Sequence, residues 1–277
     1  MTRRIFVVAC ALLLVPSGSL GTTGALAKTD GSPPQHASVP AYLALGDSLA
    51  TGVGASNPDE TGYVPLFHNY LRHNLECGAR GSSEVCPSLR LENIAVSGAT
   101  TTTLVQNQLP LALDELEARN QDDNPRNDVE VITIDIAGND AFALLGVCSG
   151  GVTPQCAGAI QTTFATIAQN LTLTLSQLRA AAGEDTEIVV MTYYNPLVGC
   201  RLSAFVPLGD LVLEGGPGLP VGMNDIIRSV AAGVDASVAE TFGLLGPDDL
   251  VGGADCLHAD DSGYQIIADA FADALAD

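Results

Sequence analysis

The chain has 277 residues, which is enough for one large domain or two small ones. Because 47% of the residues are hydrophobic and only 16% are charged, the composition predicts an ordered globular core and excludes a largely disordered chain. The formal net charge of -21 repels the phosphates of nucleic acid and anionic lipid headgroups, so it argues against a nucleic-acid partner.

Residues 1–27 have the pattern of a secretory signal peptide. Arg3 and Arg4 supply the positive region, residues 5–15 the apolar region, and residues 25–27 (Ala-Leu-Ala) a small-residue cleavage site. The apolar region is too short to cross a bilayer, so we expect a cleaved signal, a secreted protein and no integral membrane span in the mature chain. Cleavage would remove two arginines and no acidic residue, which changes the formal charge from -21 to -23.

Residues 28–40 are rich in Pro, Ser and Gly and are predicted to form a flexible lead-in. No internal repeat and no second zone of composition follows it. We therefore expect a single domain over residues 41–277, and we expect it to be a monomer.

Within this domain, strand-like and helix-like patterns alternate. Short, β-branched and nearly continuous apolar runs predict strands covered on both faces, at residues 41–46, 89–96, 129–136, 187–193 and, more weakly, 234–238. Apolar residues at helical spacing predict helices at 104–119, 160–178, 223–232 and 262–275, the last capped by Asp261 or Ser262. This alternation predicts an α/β fold with three α/β/α layers and a parallel sheet of about five strands.

Two segments interrupt the alternation, at residues 141–158 and 197–222. Both are rich in Gly and Pro and also apolar, and we predict them to be long loops. Long loops in a compact domain are usually functional or disordered, and the apolar side chains favour the functional interpretation. We therefore expect these segments to form walls of a substrate pocket.

Six cysteines follow the predicted signal peptide, and an even number in a secreted chain predicts disulfides. Several pairings are possible. Their order along the chain suggests two short loops and one long link: Cys77–Cys86, Cys148–Cys156 and Cys200–Cys256. No CxxC pair is present and only three histidines follow the lead-in, so we predict no metal site.

Small and polar residues follow the first three predicted strands, at the edge where parallel α/β sheets bind ligands. The first strand is followed by GDSLATG, the second by SGATT and the third by GND, and DCLH comes just before the last predicted helix. Because the carboxyl ends of parallel strands lie at one edge of a sheet, we expect these four segments to meet there.

Together the four segments contain the groups that acyl transfer needs. Ser48 would be the nucleophile, His258 the base, and Asp255 the carboxylate that orients the imidazole. The backbone N–H groups of Ser48 and Gly98 and the side-chain amide of Asn139 would stabilise the oxyanion. Each residue alone has a structural explanation, as a helix cap, a turn residue or a member of a surface ion pair. Their order and placement together favour catalysis.

The segments GDSLATG, NIAVSGATT, AGND and DCLHADDSGYQIIADAF resemble the four sequence blocks of the GDSL or SGNH hydrolases. This resemblance runs from residue 41 to residue 272 and implies a flavodoxin-like fold, ester hydrolysis without a cofactor, and the catalytic and oxyanion roles just assigned. The six cysteines and the acidic composition further resemble secreted actinobacterial lipases and esterases of this family, which carry three disulfides. Ala259 stands where the family often has proline, which implies a modest effect on the turn.

Several functions are compatible with these residues. GDSLA half-matches the G-x-S-x-G elbow of α/β-hydrolases, but that fold places its serine after several strands and its acid and histidine on separate loops. Apolar loops favour a lipase or esterase that cleaves carboxylic esters of small molecules or lipids. A carbohydrate esterase would need aromatic stacking platforms, and the chain has no Trp and 5% aromatic residues. The residues are also compatible with a phospholipase, a thioesterase, or a non-catalytic lipid- or glycan-binding module.

Overall fold

Five parallel strands form one sheet at the centre of the computed structural model, which describes residues 39–76, 86 and 88–276. The strands are β1 (Ala41–Gly46), β2 (Arg90–Asn93), β3 (Val129–Asp135), β4 (Glu187–Met191) and β5 (Ser237–Ala239). Their spatial order is β2-β1-β3-β4-β5, and every neighbouring pair is parallel. β1 and β3 are almost completely buried, as expected for strands covered on both faces.

Helices form a layer on each face of this sheet. They are α1 (Pro58–Thr61), α2 (Tyr63–Asn74), α3 (Thr101–Thr103), α4 (Leu109–Asn120), α5 (Gly138–Phe142), α6 (Leu144–Cys148), α7 (Pro154–Ala182), α8 (Val206–Glu214), α9 (Met223–Ala232) and α10 (Asp261–Ala274). A π-helical segment, Leu104–Gln108, joins α3 to α4. α2 packs against α10, whereas α4 and α9 both pack against α7. The predicted three-layer α/β fold with a parallel sheet of five strands is confirmed.

The apolar pattern of α7 lies on one buried face, as helical spacing requires. All the residues that predicted this helix are buried: Ile160, Phe164, Ile167, Leu171, Leu175 and Leu178. Thr153 caps the helix by accepting a hydrogen bond from the N–H of Cys156. In α10 the cap is Asp260 instead of the predicted Asp261 or Ser262, since Asp260 accepts hydrogen bonds from two N–H groups of the first turn.

Two strands depart most from the prediction, whereas β3 and β4 end one and two residues before the predicted residues 136 and 193. β2 ends before the predicted residue 96: Ile94 and Val96 still donate N–H bonds to β1, but the side chain of Val96 is 51% exposed and the run leaves the sheet. The weakly predicted strand at 234–238 begins at Ser237, because residues 234–236 close the last turn of α9 with N–H bonds to Ala231. Apolar composition alone does not distinguish a strand from the turn beside it.

The prediction of long loops at residues 141–158 and 197–222 is wrong for much of both segments. The first contains the end of α5, all of α6 and the start of α7, and the second contains α8 and two 3-10 turns, Pro196–Gly199 and Ser203–Phe205. Proline stands in the first turn of several of these elements. The N–H groups of a first turn have no acceptor within the helix, so the lack of an N–H in proline breaks no hydrogen bond there. A high proline content therefore marks helix starts here and not loops.

Two of the predicted disulfides lie within the described residues. They are Cys148–Cys156, which ties α6 to α7, and Cys200–Cys256, which ties the segment after β4 to the segment before α10. Cys77 lies outside the described residues, so its pairing with Cys86 stays a prediction.

The described residues belong to one compact unit. None of their helices combines the length and the apolar composition that a membrane span needs. The predicted signal peptide and most of the predicted lead-in lie outside the described residues, so these and the domain boundaries stay predictions.

The junction between β3 and α5 contains a strained residue. Ala137 has a φ of 105° and a ψ of -11°, in the left-handed region where the Cβ of an L-amino acid crowds the backbone. It is fully buried and lies two residues before Asn139. The strain is therefore next to one of the residues that sequence analysis assigns to the oxyanion site.

We expect Ala137→Gly to raise the free energy of unfolding by about 0.5 to 1 kcal/mol, because glycine adopts this conformation without strain. Urea unfolding followed by circular dichroism measures the change. The matched control is Ala165→Gly, at an exposed position in the middle of α7, which should lower the free energy of unfolding by about 1 kcal/mol. A decrease of similar size at both positions would show that Ala137 is not strained.

Candidate active site

Ser48, His258 and Asp255 form a continuous hydrogen-bonded chain. Nε2 of His258 lies 2.9 Å from Oγ of Ser48, and its Nδ1 lies 2.8 Å from Oδ2 of Asp255. Ser48 follows β1, whereas the imidazole and the carboxylate precede α10, and 210 positions separate the serine from the histidine. The fold therefore brings together a hydroxyl, an imidazole and a carboxylate in the order that proton transfer from the hydroxyl needs.

Asp255 is oriented by the turn in which it lies. Its Oδ1 accepts hydrogen bonds from the N–H groups of Leu257, at 2.9 Å, and of His258, at 3.0 Å, while Oδ2 bonds to the imidazole. Partial burial favours the neutral acid, but the hydrogen bonds from the imidazole and the two N–H groups outweigh it and lower the pKa of Asp255. At neutral pH a negative charge therefore lies against the imidazole.

The turn that carries Asp255 is attached to the segment after β4 in three ways. The first is the disulfide Cys200–Cys256. The N–H of Arg201 donates to the carbonyl of Gly253 at 3.1 Å, and the hydroxyl of Tyr194 donates to the carbonyl of Leu257 at 2.7 Å. These contacts limit the movement of the carboxylate and imidazole relative to the sheet.

Gln108 holds the end of β1, and sequence analysis missed this residue. Its Oε1 accepts a hydrogen bond from the N–H of Gly46 at 2.9 Å, and its Nε2 donates to the carbonyl of Gly46 at 2.8 Å. Gly46 lies so close to the carboxyl of Asp135 that any side chain would collide with it. The single local signal for Gln108 is a polar residue at a buried position of a predicted helix.

Asn139 lies in the first turn of α5, directly after β3, and Gly98 lies in the loop that follows β2. Nδ2 of Asn139 donates to the carbonyl of Ala99 at 2.9 Å and, over a longer distance of 3.4 Å, to Oδ2 of Asp47. Gly98 has a φ of +80°, and beyond its two chain neighbours no atom lies within 4 Å of the place where a Cβ would stand. In the described part of the chain, the N–H groups of Ser48 and Gly98 donate to no protein acceptor. Two N–H donors without a protein acceptor among the described residues, and open space around Gly98, therefore occur in the segments that follow β1 and β2.

Asp140, in α5, ties together the segments that follow β2 and β3. Its carboxylate accepts hydrogen bonds from the N–H and the hydroxyl of Thr101, both at 2.9 Å. Asn170 of α7 donates to the same hydroxyl at 3.1 Å. The SGATT and GND segments are thus held in one arrangement, and sequence analysis did not assign this role to Asp140.

Two buried carboxyl groups, Asp47 and Asp135, lie at the ends of β1 and β3. Asp47 accepts hydrogen bonds from the N–H of Leu49 at 3.0 Å and from the hydroxyl of Tyr193 at 2.9 Å. Asp135 accepts hydrogen bonds from the N–H of Asp47 at 3.2 Å and from the hydroxyl of Tyr63 at 2.5 Å. Burial raises the pKa of both groups, and the nearby charge of Asp47 raises the pKa of Asp135 further, well above its ordinary range.

An apolar pocket opens beside Ser48. Its walls come mainly from α5, α6, α8 and the segment after β4, and include Leu144, Leu145, Leu197, Leu208, Val212 and Met223. Asn139 and Tyr193 also line it. Both segments that the sequence predicted as pocket walls contribute to this pocket, although largely as helices and not as loops.

The other described histidines bond to the backbone. Nε2 of His68 lies 2.8 Å from the carbonyl oxygen of Leu89, and Nδ1 of His73 lies 2.7 Å from that of Asn69. His36 lies outside the described residues. Within the ranges that the structure covers, no group of three His, Cys, Asp or Glu side chains is arranged to hold a metal ion.

The raised pKa of Asp135 predicts how stability depends on pH. The unfolded chain releases this proton near the ordinary pKa of about 4, whereas the folded chain keeps it. The resulting stabilisation is complete below that pH and is lost as the pH rises towards the pKa of the folded state. We expect Asp135→Asn to flatten the decrease, as measured by urea unfolding at a series of pH values from about 4 to about 8. Parallel pH profiles for the two proteins would show that Asp135 keeps no proton.

Solved structures share this fold. The chain is similar to the lipase Lip_vut3 from a goat rumen metagenome, with 20% identity, a TM-score of 0.62, and coverage of 85% of this chain and 97% of that one. It is also similar to an extracellular lipase from Streptomyces rimosus (19% identity, TM-score 0.51, coverage 85% and 100%). A third similar structure is Axe2, an acetylxylan esterase from Geobacillus stearothermophilus (16% identity, TM-score 0.53, coverage 85% and 93%).

A family model matches most of the chain. Residues 44–266 match the GDSL-like lipase/acylhydrolase family, and this range contains all four segments that meet at the site. No curated protein matches the chain in sequence. The match and the shared fold agree with the resemblance of the sequence blocks, and the chain belongs to the GDSL-like lipase/acylhydrolase family of hydrolases.

Proposed function

We propose that this hydrolase is a secreted serine enzyme that cleaves carboxylic esters, with Ser48 as nucleophile, His258 as general base and Asp255 as the carboxylate behind the base. The observation that carries the proposal is the chain of two hydrogen bonds, 2.9 Å and 2.8 Å long, from the hydroxyl to the carboxylate. Both distances are within the range over which a proton is transferred.

Acyl transfer proceeds in two halves on this chain of groups. Nε2 of His258 takes the proton of Ser48 as Oγ forms a bond to the ester carbonyl carbon, and Asp255 stabilises the imidazolium through Nδ1–H. The imidazolium then gives the proton to the leaving alkoxide as the carbon–oxygen bond breaks, which leaves the acyl group on Oγ. Water, deprotonated by the same imidazole, attacks the acyl carbon; the bond from this carbon to Oγ then breaks, the imidazolium returns its proton to Oγ of Ser48, and the carboxylic acid is released.

Three donors would stabilise the negative charge on the carbonyl oxygen. The N–H groups of Ser48 and Gly98 donate to no acceptor in the described part of the chain, so they are available to a substrate. Asn139 would supply the third donor. Its 3.4 Å contact with Asp47 is longer than its 2.9 Å bond to Ala99, so the contact with Asp47 is the one that a substrate oxygen would replace.

The pocket supports an ester with an apolar acyl group. Leucine, valine and methionine side chains cover the walls next to Ser48, and burial of each CH₂ of an acyl chain contributes about 0.8 kcal/mol. A carbohydrate esterase is the second candidate, since an acetylxylan esterase shares the fold. The absence of Trp from the chain and the apolar lining favour the first candidate.

Secretion is supported by two independent features. Residues 1–27 have the composition of a signal peptide, and the described residues contain two disulfides, which form in oxidising compartments. The similar Streptomyces rimosus lipase is described as extracellular. We further propose that the mature protein acts as a monomer.

The test is hydrolysis of p-nitrophenyl esters from acetate to palmitate by the mature protein and by Ser48→Ala. We expect hydrolysis with a preference for acyl chains longer than acetyl, and a loss of about 10,000-fold or more in kcat/KM in the variant. A fluorophosphonate probe should label the wild-type protein at Ser48 and not the variant.

The outcomes separate the candidates. A preference for acetyl esters of xylan over p-nitrophenyl esters of longer acids would favour the carbohydrate esterase. If the folded protein neither hydrolyses an ester nor reacts with the probe, the serine mechanism is contradicted. The remaining interpretation is then a non-catalytic lipid- or glycan-binding module.

The disulfide next to the acid and base provides a further prediction. We expect the double variant Cys200→Ser, Cys256→Ser to lose about tenfold in kcat, because the turn that carries Asp255 is held less firmly without the disulfide. Its far-ultraviolet circular dichroism should be unchanged, because two hydrogen bonds still attach the turn to the segment after β4. Kinetics on the best p-nitrophenyl ester measure the change.

The control for this prediction is Cys148→Ser, Cys156→Ser, which removes a disulfide at the pocket wall. Cys148 lines the pocket and takes no part in the hydrogen bond between Asp255 and His258. Its loss should therefore alter substrate binding more than the chemical step, and KM should change more than kcat. Loss of activity only in parallel with loss of secondary structure would show that Cys200–Cys256 acts on the fold and not on the turn.

A further inference from the structure

Asp135 is a fully buried carboxyl that takes no part in the proposed acyl transfer. It is the last residue of the central strand β3, and the sheet register places it opposite Gly46, two residues before the nucleophile. Its two oxygens contact the N–H of Asp47 and the hydroxyl of Tyr63. A polar group in such a position needs a physical explanation, because burial of an unpaired charge is costly.

We propose that Asp135 is a positioning residue held as the neutral carboxylic acid, so that the buried pair carries one negative charge, on Asp47, next to Ser48. The proposal rests on the proposed function and adds to it the group that fixes the backbone and the local charge behind the nucleophile.

The groups around Asp47 and Asp135 can stabilise one negative charge on this pair of carboxyls, but not two. The ion pairs of the described residues include neither Asp47 nor Asp135. The titratable groups that face the pair from the surrounding elements are hydroxyls and one imidazole: Tyr42, Tyr63, Tyr193, Tyr194, Tyr264 and His258. Burial raises the pKa of each of these tyrosines, so their hydroxyls stay neutral and act as donors or acceptors of hydrogen bonds.

The hydrogen bonds indicate which carboxyl keeps the charge. Asp47 accepts from the N–H of Leu49, the hydroxyl of Tyr193 and the amide of Asn139, and three donors stabilise a carboxylate. The contact of Asp135 with Tyr63 is kept in either protonation state, because a tyrosine hydroxyl can donate or accept. The proton therefore belongs to Asp135.

A single charge on Asp47 has a consequence for the reaction. Asp47 orients the turn after Ser48 by accepting a hydrogen bond from the N–H of Leu49, and it also accepts from the amide of Asn139 until a substrate oxygen replaces that contact. A second negative charge on Asp135 would repel Asp47 and would also oppose the negative charge that develops on the substrate oxygen. A neutral Asp135 anchors the N–H of Asp47 without this cost.

The kinetic test compares a neutral isostere with a truncation. We expect Asp135→Ala to lower kcat by about 100-fold, with KM little changed, because the turn at Ser48 loses its anchor. Asp135→Asn keeps a neutral side chain of the same shape and should restore kcat to within about threefold of wild type. Thr133→Val is the control: it removes a buried hydroxyl from the same face of β3, bonded to Tyr42 and not to Asp47, and should leave kcat unchanged.

A spectroscopic test detects the proton directly. Infrared spectra at neutral pH should show the carbonyl stretch of a buried, protonated carboxylic acid in wild type and in Ser48→Ala, and this band should be missing in Asp135→Asn. Its absence from the wild-type spectrum, or equal losses of kcat in Asp135→Asn and Asp135→Ala, would overturn the proposal.

Failure of the ester hydrolase proposal is distinguishable from failure of this one. If no ester is hydrolysed, the rate at which a fluorophosphonate labels Ser48 replaces kcat in the comparison of Asp135→Asn with Asp135→Ala, and the infrared band still reports the proton. Labelling that is equally fast in wild type and in Asp135→Ala would show that Asp135 does not position Ser48.

Discussion

The parallel pairing of β1 with β3 is the constraint on which the site depends. Its register sets Gly46 opposite Asp135, so the two central strands end at the same level and lead into the same crevice. Because Gly46 has no side chain, the carboxyl of Asp135 can approach the end of β1 closely. Ser48 and Asn139 follow within a few residues. These two strands, which are almost completely buried, therefore determine where the hydroxyl and the amide lie.

Carboxyl groups with opposite electrostatic behaviour occur within this one site. Asp255 lies in a turn whose N–H groups stabilise its charge, and its pKa is lowered. Asp47 and Asp135 lie in the core, where burial raises the pKa of both. The surroundings therefore shift the pKa values in opposite directions: the carboxylate next to the imidazole is ionised, whereas the buried pair resists full ionisation. One site can thus contain acidic groups in different protonation states at one pH.

Sequence analysis could predict the parts of the molecule that carry local signals. The central strands are continuous apolar runs, and the segments after them contain the glycines and small polar residues typical of strand ends. It could not predict the partners that Gln108, Asp135 and Asp140 find across 62, 88 and 39 positions of the chain, because no local pattern specifies such contacts. The loop predictions for segments 141–158 and 197–222 are wrong because Gly and Pro occur both in loops and at helix ends.

The spacing of the three central side chains links chemistry to folding. Asp255 and His258 are three positions apart and form a unit within one turn, whereas Ser48 lies 210 positions from the histidine. In the proposed mechanism the serine would therefore gain its base only when β1, the turn before α10 and the elements between them have all assembled. In an unfolded chain, or in an intermediate whose last helix has not docked, Ser48 is an ordinary alcohol. The reactivity that we propose for it would belong to the native state as a whole, and cooperative folding would be the step that activates it.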